Sequence, residues 1–442
     1  MKVLTAQQMR DADRRTIDGG TPADVLMSRA GTKVVEFLEA EFSPLSRQRV
    51  VIFCGSGNNG GDGLVVGRLL RPRVASLQIV KVTDPPNPVD REATIVVDAL
   101  LGTGFREPVE GRYAELIAAI NQQFPRAKVV SVDIPSAMQV HADFTVTFAA
   151  PKAEMLLDPR AGNAGKLIVA DIGIPAEYLQ SDLELSESHD FASLFQPRKR
   201  DTNKGDYGHV LVVGGAAGKA GAAAMAGLAA LRIGAGLVTV ACADPSRLAP
   251  ELMTQPLDAV SLERMTVLAI GPGLGMKREL VGKLTSEATI PTIIDADGLN
   301  SIAGTDFRGR GVETVLTPHP GEMARLTGAK VGDRLTVARQ FAMDRNVCLV
   351  LKGFRTLIGL PDGKIWINPT GSPAMAKGGA GDILTGLIAG LAAQTRDTGL
   401  AVRAAVWLHG RAGELAAEEL TEYCVLATDL LTYLPRAIRE VL

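Results

Sequence analysis

Little in this chain is aromatic, thiol-bearing or net charged, and each shortage removes a class of function. Phe, Trp and Tyr make up 4% of the 442 residues, which leaves little material for platforms that stack nucleic-acid bases. The 47 Lys and Arg residues are offset by 49 Asp and Glu for a net charge of −2, so no basic surplus points to nucleic acid or to a membrane. Cys54, Cys242, Cys348 and Cys424 lie far apart without metal-type spacing, and Cys54 and Cys348 fall inside apolar strand-like runs. A reduced, cytoplasmic protein without structural zinc is expected. Met1 to Arg10 turn polar too early to supply a signal-peptide core. The longest apolar stretches, 221–231 and 383–393, are rich in Ala and Gly and shorter than a bilayer span. They read as buried helices.

What is present is a regular alternation. Short β-branched runs at 49–54, 77–82, 94–98, 128–133, 144–148 and 167–171 are separated by helical patterns, which predicts an α/β architecture with largely parallel sheets. The length exceeds one ordinary core, so two domains are expected. Periodicity stops over 181–203, where Pro197-Arg198-Lys199-Arg200-Asp201 is strongly polar. The boundary is placed there, giving domains 1–190 and 191–442, and the alternation restarts with a strand at 208–214.

Gly378, Gly379, Ala380 and Gly381 keep the backbone bare just before the helix-forming run from Ile383, with Asp382 on its first turn. Unpaired N–H groups and the positive end of the helix dipole attract phosphate at such a place. The amides can hold charge that develops on a moving phosphoryl group while Asp382 accepts a proton from a substrate hydroxyl. A glycine loop that only lets a helix pack closely on a strand is the plainer alternative.

In the first half, strand 49–54 runs into Gly55-Ser56-Gly57-Asn58-Asn59-Gly60-Gly61-Asp62-Gly63. Gly55, Gly57 and Gly60 satisfy a dinucleotide fingerprint, with Asp84 near the spacing of a ribose ligand. The two amides and the acid exceed what a plain pyrophosphate turn needs. Asn59, Asp98 and Ser136, all at carboxyl ends of strands, can form an oxygen cage for a hard cation. The loop from Asp98 to Pro108 offers N–H donors and Arg106 for a phosphate-bearing ligand. Asp133, closing strand 128–133, is a candidate proton-transfer group or an ordinary turn-former.

Asn58 to Gly63, the Asp98–Pro108 loop and Asp133-Ile134-Pro135-Ser136 resemble the NAD(P)H-hydrate epimerase domain. The Gly379-Ala380-Gly381-Asp382 site resembles the ADP-dependent NAD(P)H-hydrate dehydratase, a ribokinase-like fold. Further fragments agree in order: Asn203 to Gly208, Gly214-Gly215, Gly271-Pro272-Gly273-Leu274-Gly275, Asp295 to Asn300, Thr317 to Glu322 and Lys352 to Thr356. The resemblance implies a Rossmann-like αβα sandwich followed by a ribokinase-like αβα domain. It implies that R- and S-hydrates of NADH and NADPH are interconverted by the first and that the S form is dehydrated by the second. The resemblance further implies ADP as phosphoryl donor, with phosphorylation turning the poor hydroxide leaving group into a good one and AMP and phosphate released.

By the same resemblance, Asn59, Asp98 and Ser136 bind K+, and Asn58, Asn59, Gly60, Gly61, Asp62, Gly102, Thr103, Gly104, Phe105, Arg106, Glu107, Pro108 and Asp133 hold the hydrate. In the second domain Ala222, Gly273, His319 and Asp382 contact it. Lys352, Gly353, Phe354, Arg355 and Thr356, with Gly378, Gly379, Ala380 and Gly381, hold the nucleotide together with Mg2+. Lys352 either meets a phosphate or caps its loop. His141, His189, His209 and His409 show no ligand spacing and are read as structural. A homo-oligomer is expected. The family carries Gly after Asp-Ile-Pro-Ser where this chain has Ala137 and Met138; if positive φ is needed there, Ala137 is strained by about a kcal/mol. A ribokinase-class vitamin-precursor kinase, a dehydrogenase and a first domain that only senses nucleotides share parts of this pattern.

Overall fold

β-branched runs fold into strands wherever helical segments separate them. The computed structural model describes residues 1–105, 107–157 and 159–442, in two units, Met1–Asp182 and Leu183–Leu442.

The first unit runs β1 (Lys2–Val3), α1 (Ala6–Asp18), α2 (Ala23–Phe42), β2 (Arg49–Cys54), α3 (Asn58–Leu70), β3 (Ser76–Lys81), β4 (Ile95–Ala99), α4 (Gly111–Gln123), β5 (Lys128–Val132), β6 (Phe144–Phe148), α5 (Glu154–Leu157) and β7 (Lys166–Ala170). Strands β2 to β7 pair in parallel in the order β3-β2-β4-β5-β6-β7. Each lies within one residue of its expected place. Alternate residues of β2 feed opposite faces: Val50 and Ile52 pack with Leu38 and Val66 of α2 and α3, while Val51 and Phe53 pack with Leu116 and Ile120 of α4. Burial on both faces explains why these strands read as unbroken apolar runs. The strand order reverses between β2 and β4, so the loops leaving their carboxyl ends diverge and open a crevice.

The second unit runs β8 (Leu183–Leu185), β9 (His209–Val213), α6 (Ala220–Arg232), β10 (Leu237–Cys242), β11 (Met253–Pro256), β12 (Val267–Ile270), α7 (Arg278–Glu287), β13 (Thr292–Ile294), α8 (Asp297–Ile302), β14 (Gly311–Leu316), α9 (Pro320–Thr327), α10 (Arg334–Arg345), β15 (Val347–Leu351), β16 (Leu357–Gly359), β17 (Ile365–Ile367), α11 (Ala380–Ala392), α12 (Thr398–Cys424) and α13 (Asp429–Arg439). Its strand order is β8-β17-β16-β15-β14-β13-β12-β9-β10-β11, parallel from β11 to β15 and antiparallel over β15-β16-β17. That antiparallel addition has no helices between its strands, so the alternation gives no sign of it. Residues 183–190 associate with the second unit: β8 pairs with β17, and Arg403 donates to Asp190 at 2.9 Å.

The small-residue stretch 221–231 falls in α6 and 383–393 in α11 and its C-cap Ala393, and the two helices lie against each other. A Cβ on Gly386 would stand 2.0 Å from the Ala226 carbonyl oxygen, so only glycine admits this approach. The cysteines are free thiols, with Cys54, Cys242 and Cys348 buried and Cys424 exposed. Among the described residues no helix is long and apolar enough to cross a membrane.

Candidate functional sites

The crevice of the first unit is a cavity of about 520 Å³ lined by Asn58, Asn59, Asp62, Gly102, Thr103, Gly104, Phe105 and Asp133. α3 starts at its mouth, with Gly57 as a cap that supplies no side chain, so the amides of its first turn are left for a ligand. Asp98 is fully buried beneath. It accepts hydrogen bonds from Ser131 Oγ (2.9 Å), Ser136 N (2.8 Å) and Ser136 Oγ (2.5 Å). Burial pushes its carboxyl up, against the pull of those donors. Both side-chain polar atoms of Asn59 are buried and unpartnered. An orphaned amide oxygen at the site of a desolvated carboxylate and a serine hydroxyl fits a hard monovalent cation.

Asp133 follows β5 with φ +65° and is paired with Lys152. The Lys152 ammonium is buried and spends its three donors on Asp133, Thr147 Oγ1 (2.8 Å) and the Phe148 carbonyl (3.1 Å). Burial pushes Asp62 up to about 8, with Asp133 and Asp13 adding to it and Lys152 opposing. Asp13, reaching the cavity from α1, is pushed up to about 6 by burial. An acid that keeps its proton at neutral pH thus lies beside a lysine-paired carboxylate, the pairing that proton transfer in both directions requires.

Other expected residues fall elsewhere. Gly60 and Gly61 shape the turn without lining the cavity; a Cβ on Gly60 would stand 1.9 Å from the Gly55 carbonyl oxygen. Glu107 holds Arg160 at 2.6 Å, Pro108 lies outside the lining, and Arg106 is outside the described residues. Asp84 accepts from the Lys81 amide as a turn residue (3.0 Å), which leaves the dehydrogenase fingerprint without its ribose ligand. Ala137 and Met138 do take positive φ, +55° and +54°, yet Ser136 keeps its bonds to Asp98.

In the second unit a cavity of about 830 Å³ is lined by the 352–356 and 378–382 loops, His319, Asp295 and His409. Gly379 caps α11 at φ +97°, a conformation that a side chain resists, and the Gly381 and Asp382 amides open on the cavity without intrahelical acceptors. Asp382 is pushed up to about 6, by burial first and then by Asp295, with Lys352 opposing. Lys352 Nζ lies 3.0 Å from Asp295 Oδ1 and 3.8 Å from Glu322 Oε2. Burial works to lower the ammonium, but Asp295, Glu322 and Asp382 outweigh it and hold it charged. Thr385 fixes the other Asp295 oxygen at 2.8 Å. Lys352 is therefore tied into a carboxylate network rather than being a free phosphate hook.

The rest of its loop is braced by Arg334, whose guanidinium reaches the Phe354 carbonyl at 2.6 Å. His319 caps α9: its Nδ1 accepts from Gly321 N (3.0 Å) and Glu322 N (3.3 Å), so Nε2 carries the hydrogen, with Glu322 Oε1 3.6 Å away. Gly273, at φ +60°, lies against Ala222 and Lys219, two residues before Gly275, whose amide donates to Asp297 at 2.7 Å, and neither Gly273 nor Ala222 lines that cavity. Sequence reasoning gave no role to Lys152, Asp13 or Thr385. Lys152 had a signal, an isolated lysine just past the carboxyl end of an apolar strand.

Comparison with known proteins agrees with this division. Residues 210–436 match the family model described as NAD(P)H-hydrate dehydratase, and residues 23–93 and 75–154 match the one described as YjeF-related protein N-terminus. The chain is 38% identical to the bifunctional NAD(P)H-hydrate repair enzyme Nnr of Moorella thermoacetica, with 100% of this chain and 97% of that one covered. It is 37% identical to that of Coxiella burnetii, with 97% of each covered. The ADP/ATP-dependent NAD(P)H-hydrate dehydratase of Bacillus subtilis, crystallised with ATP and Mg2+, superposes with a TM-score of 0.55 at 34% identity, covering 59% of this chain and 99% of that one. With both halves matched in order and relatives aligned from end to end, the chain belongs to the family of bifunctional NAD(P)H-hydrate repair enzymes.

Proposed function

We infer that this chain repairs hydrated NADH and NADPH, equilibrating the R and S hydrates in the crevice of the first unit and dehydrating the S form in the second with ADP as phosphoryl donor. The observation that carries the reading is the meeting of Asp382 with the bare first turn of α11 at one cavity. Asp382 takes the proton from the hydrate hydroxyl as that oxygen attacks the terminal phosphoryl. The Gly381 and Asp382 amides steady the anion in transit, and AMP leaves. Phosphate then departs with the electrons of its C–O bond as the ring nitrogen supplies its pair, and the neighbouring ring carbon gives up a proton to water, which restores the double bond of NAD(P)H. The loops that would hold the nucleotide would take it with Mg2+, which would offset the charge of its phosphates.

In the first unit, Asp133, held by Lys152, withdraws the hydroxyl proton of the hydrated carbon as its bond to the ring nitrogen breaks and Asp62 protonates that nitrogen; re-closure on the other face of the resulting carbonyl, with both protons returned, inverts the centre. Asn59, Asp98 and Ser136 would hold K+, whose charge would offset that of the buried Asp98 carboxylate. Relatives that span both halves leave a vitamin-precursor kinase without support. Work in the cytoplasm and self-association of the chain belong to this reading, and light scattering measures the latter.

The deciding experiment offers purified hydrate to the enzyme with ADP and with ATP side by side, and follows R/S equilibration separately with and without K+. NADH must appear with nucleotide and inorganic phosphate must accumulate with it. Hydrate left intact with both nucleotides sinks the assignment.

A further inference from the structure

His409, set aside by its spacing as structural, lies on α12 behind the anion cradle. Its imidazole is buried, lines the same cavity as Gly381 and Asp382, and places Nε2 2.9 Å from the Ala380 carbonyl oxygen. A carbonyl only accepts, so Nε2 carries the proton and the tautomer is fixed. The Ala380 carbonyl and the Gly381 N–H belong to one planar trans peptide and point in opposite directions. Whatever holds the carbonyl on one side aims the amide hydrogen on the other. A donor on that oxygen also draws electron density through the peptide and strengthens the N–H as a hydrogen-bond donor.

We propose that His409 is a positioning residue for phosphoryl transfer, donating Nε2–H to the Ala380 carbonyl so that the Gly381 amide is aimed at, and polarised toward, the migrating phosphoryl group. This rests on the dehydration reading of the second unit. The ring is well placed for a fixed role. Its own stretch of α12 is pinned where Thr370 Oγ1 donates to the Trp407 carbonyl at 2.8 Å, and a Cβ on Gly410 would stand 2.3 Å from that Thr370 Oγ1. Burial, opposed by the Ala380 carbonyl and reinforced by the Lys352 charge, takes the imidazole down to about 4. It therefore stays neutral with one N–H donor throughout the range in which Asp382 is ionised.

The test compares His409→Gln, whose side-chain amide keeps a donor at similar reach, with His409→Leu, which has none, in the full-length enzyme. The leucine variant should lose about tenfold or more in kcat for ADP-dependent dehydration, with KM for hydrate and for ADP within about threefold of wild type, because the amide acts mainly on the transition state. The glutamine variant should recover most of that loss. As a readout independent of turnover, the 15N and 1H shifts of the Gly381 amide are followed on titration with inorganic phosphate. They should move in wild type and the glutamine variant and stay largely still in the leucine variant.

Wild-type kcat in the leucine variant, equal losses in both variants, a loss confined to KM, or an undiminished Gly381 response overturns the proposal. If the leucine variant does not fold, His409→Asn, too short to reach Ala380, takes its place with the same expected losses. A wild-type enzyme that leaves hydrate untouched overturns the dehydration reading instead, and the phosphate response of Gly381 then decides the role of His409 alone.

Discussion

At the scale of single residues, two carboxyl groups displaced upward by burial make different demands. Asp382 must be ionised to act as base, so kcat/KM for dehydration should rise with pH and level off above its value of about 6. Asp382→Asn should cost roughly 10²- to 10⁴-fold in ADP-dependent dehydration and leave epimerisation intact. Unaltered turnover in that variant removes Asp382 from the role. Asp62 matters for stability as well. Its native value of about 8 exceeds the unfolded 3.8, so the folded state binds more protons between those limits and stability falls as pH rises through them. Asp62→Asn removes this, and its advantage over wild type in urea unfolding should widen by up to about 4 kcal/mol between pH 5 and pH 8. A constant gap contradicts the shift. Asp62→Asn should also slow epimerisation. Asp382 was legible from its place on a first helical turn after small residues. Neither the bond of Thr385 to Asp295, 90 residues away, nor the pairing of Asp133 with Lys152, 19 apart, was, because those contacts join segments that periodicity does not relate.

At the scale of elements, α11 uses its glycines in opposite ways. Gly386 touches the α6 backbone, so Gly386→Ala should destabilise the second unit by about 1–3 kcal/mol in thermal or urea unfolding. A Cβ on Gly381 would meet only Lys352 Nζ at 3.4 Å and Asp295 Oδ2 at 3.8 Å. Gly381→Ala should therefore leave the melting temperature nearly unchanged while the methyl, intruding on the cradle, lowers dehydration about tenfold or more. A Gly381→Ala protein that turns over normally argues against the cradle.

The turn after Asp133 is a closer balance. Strain at φ +55° costs Ala137 about 1–2 kcal/mol. Ala137→Gly would forfeit a buried methyl and gain unfolded-state freedom, together of similar size. Stability should shift by less than about 1 kcal/mol, and epimerisation should persist in the natural protein because Ser136 already reaches Asp98. The need for positive φ could be read from sequence, but the outcome could not, since it depends on the packing around a single methyl. The positions of the six parallel strands of the first unit were readable to within a residue because burial on both faces leaves uninterrupted apolar runs. The antiparallel β16 and β17 were not, being three residues each with polar turns between.

At the scale of the whole molecule, the two activities reside in units with their own sheets and their own cavities. Separately expressed second halves should retain ADP-dependent dehydration of S-hydrate, as the Bacillus subtilis relative matched over 99% of its length suggests. They should stop short of consuming an R/S mixture completely until first-half protein is added. Complete consumption by the second half alone would place epimerisation elsewhere. The division into two α/β halves was visible in sequence, whereas the association of residues 183–190 with the second was not, because it arises from strand pairing and from the reach of Arg403 to Asp190.

With three of its thiols sealed in the interior, the molecule presents bulky maleimide reagents with Cys424 alone. That position borders Tyr423 and Val425, whose carbonyls hold Lys377 Nζ at 2.7 and 2.6 Å, and Lys377 leads directly into the glycines at the start of α11. A fluorophore attached there, without any engineered cysteine, should change its emission when ADP is added, and an unaltered signal would argue against a nucleotide at that loop.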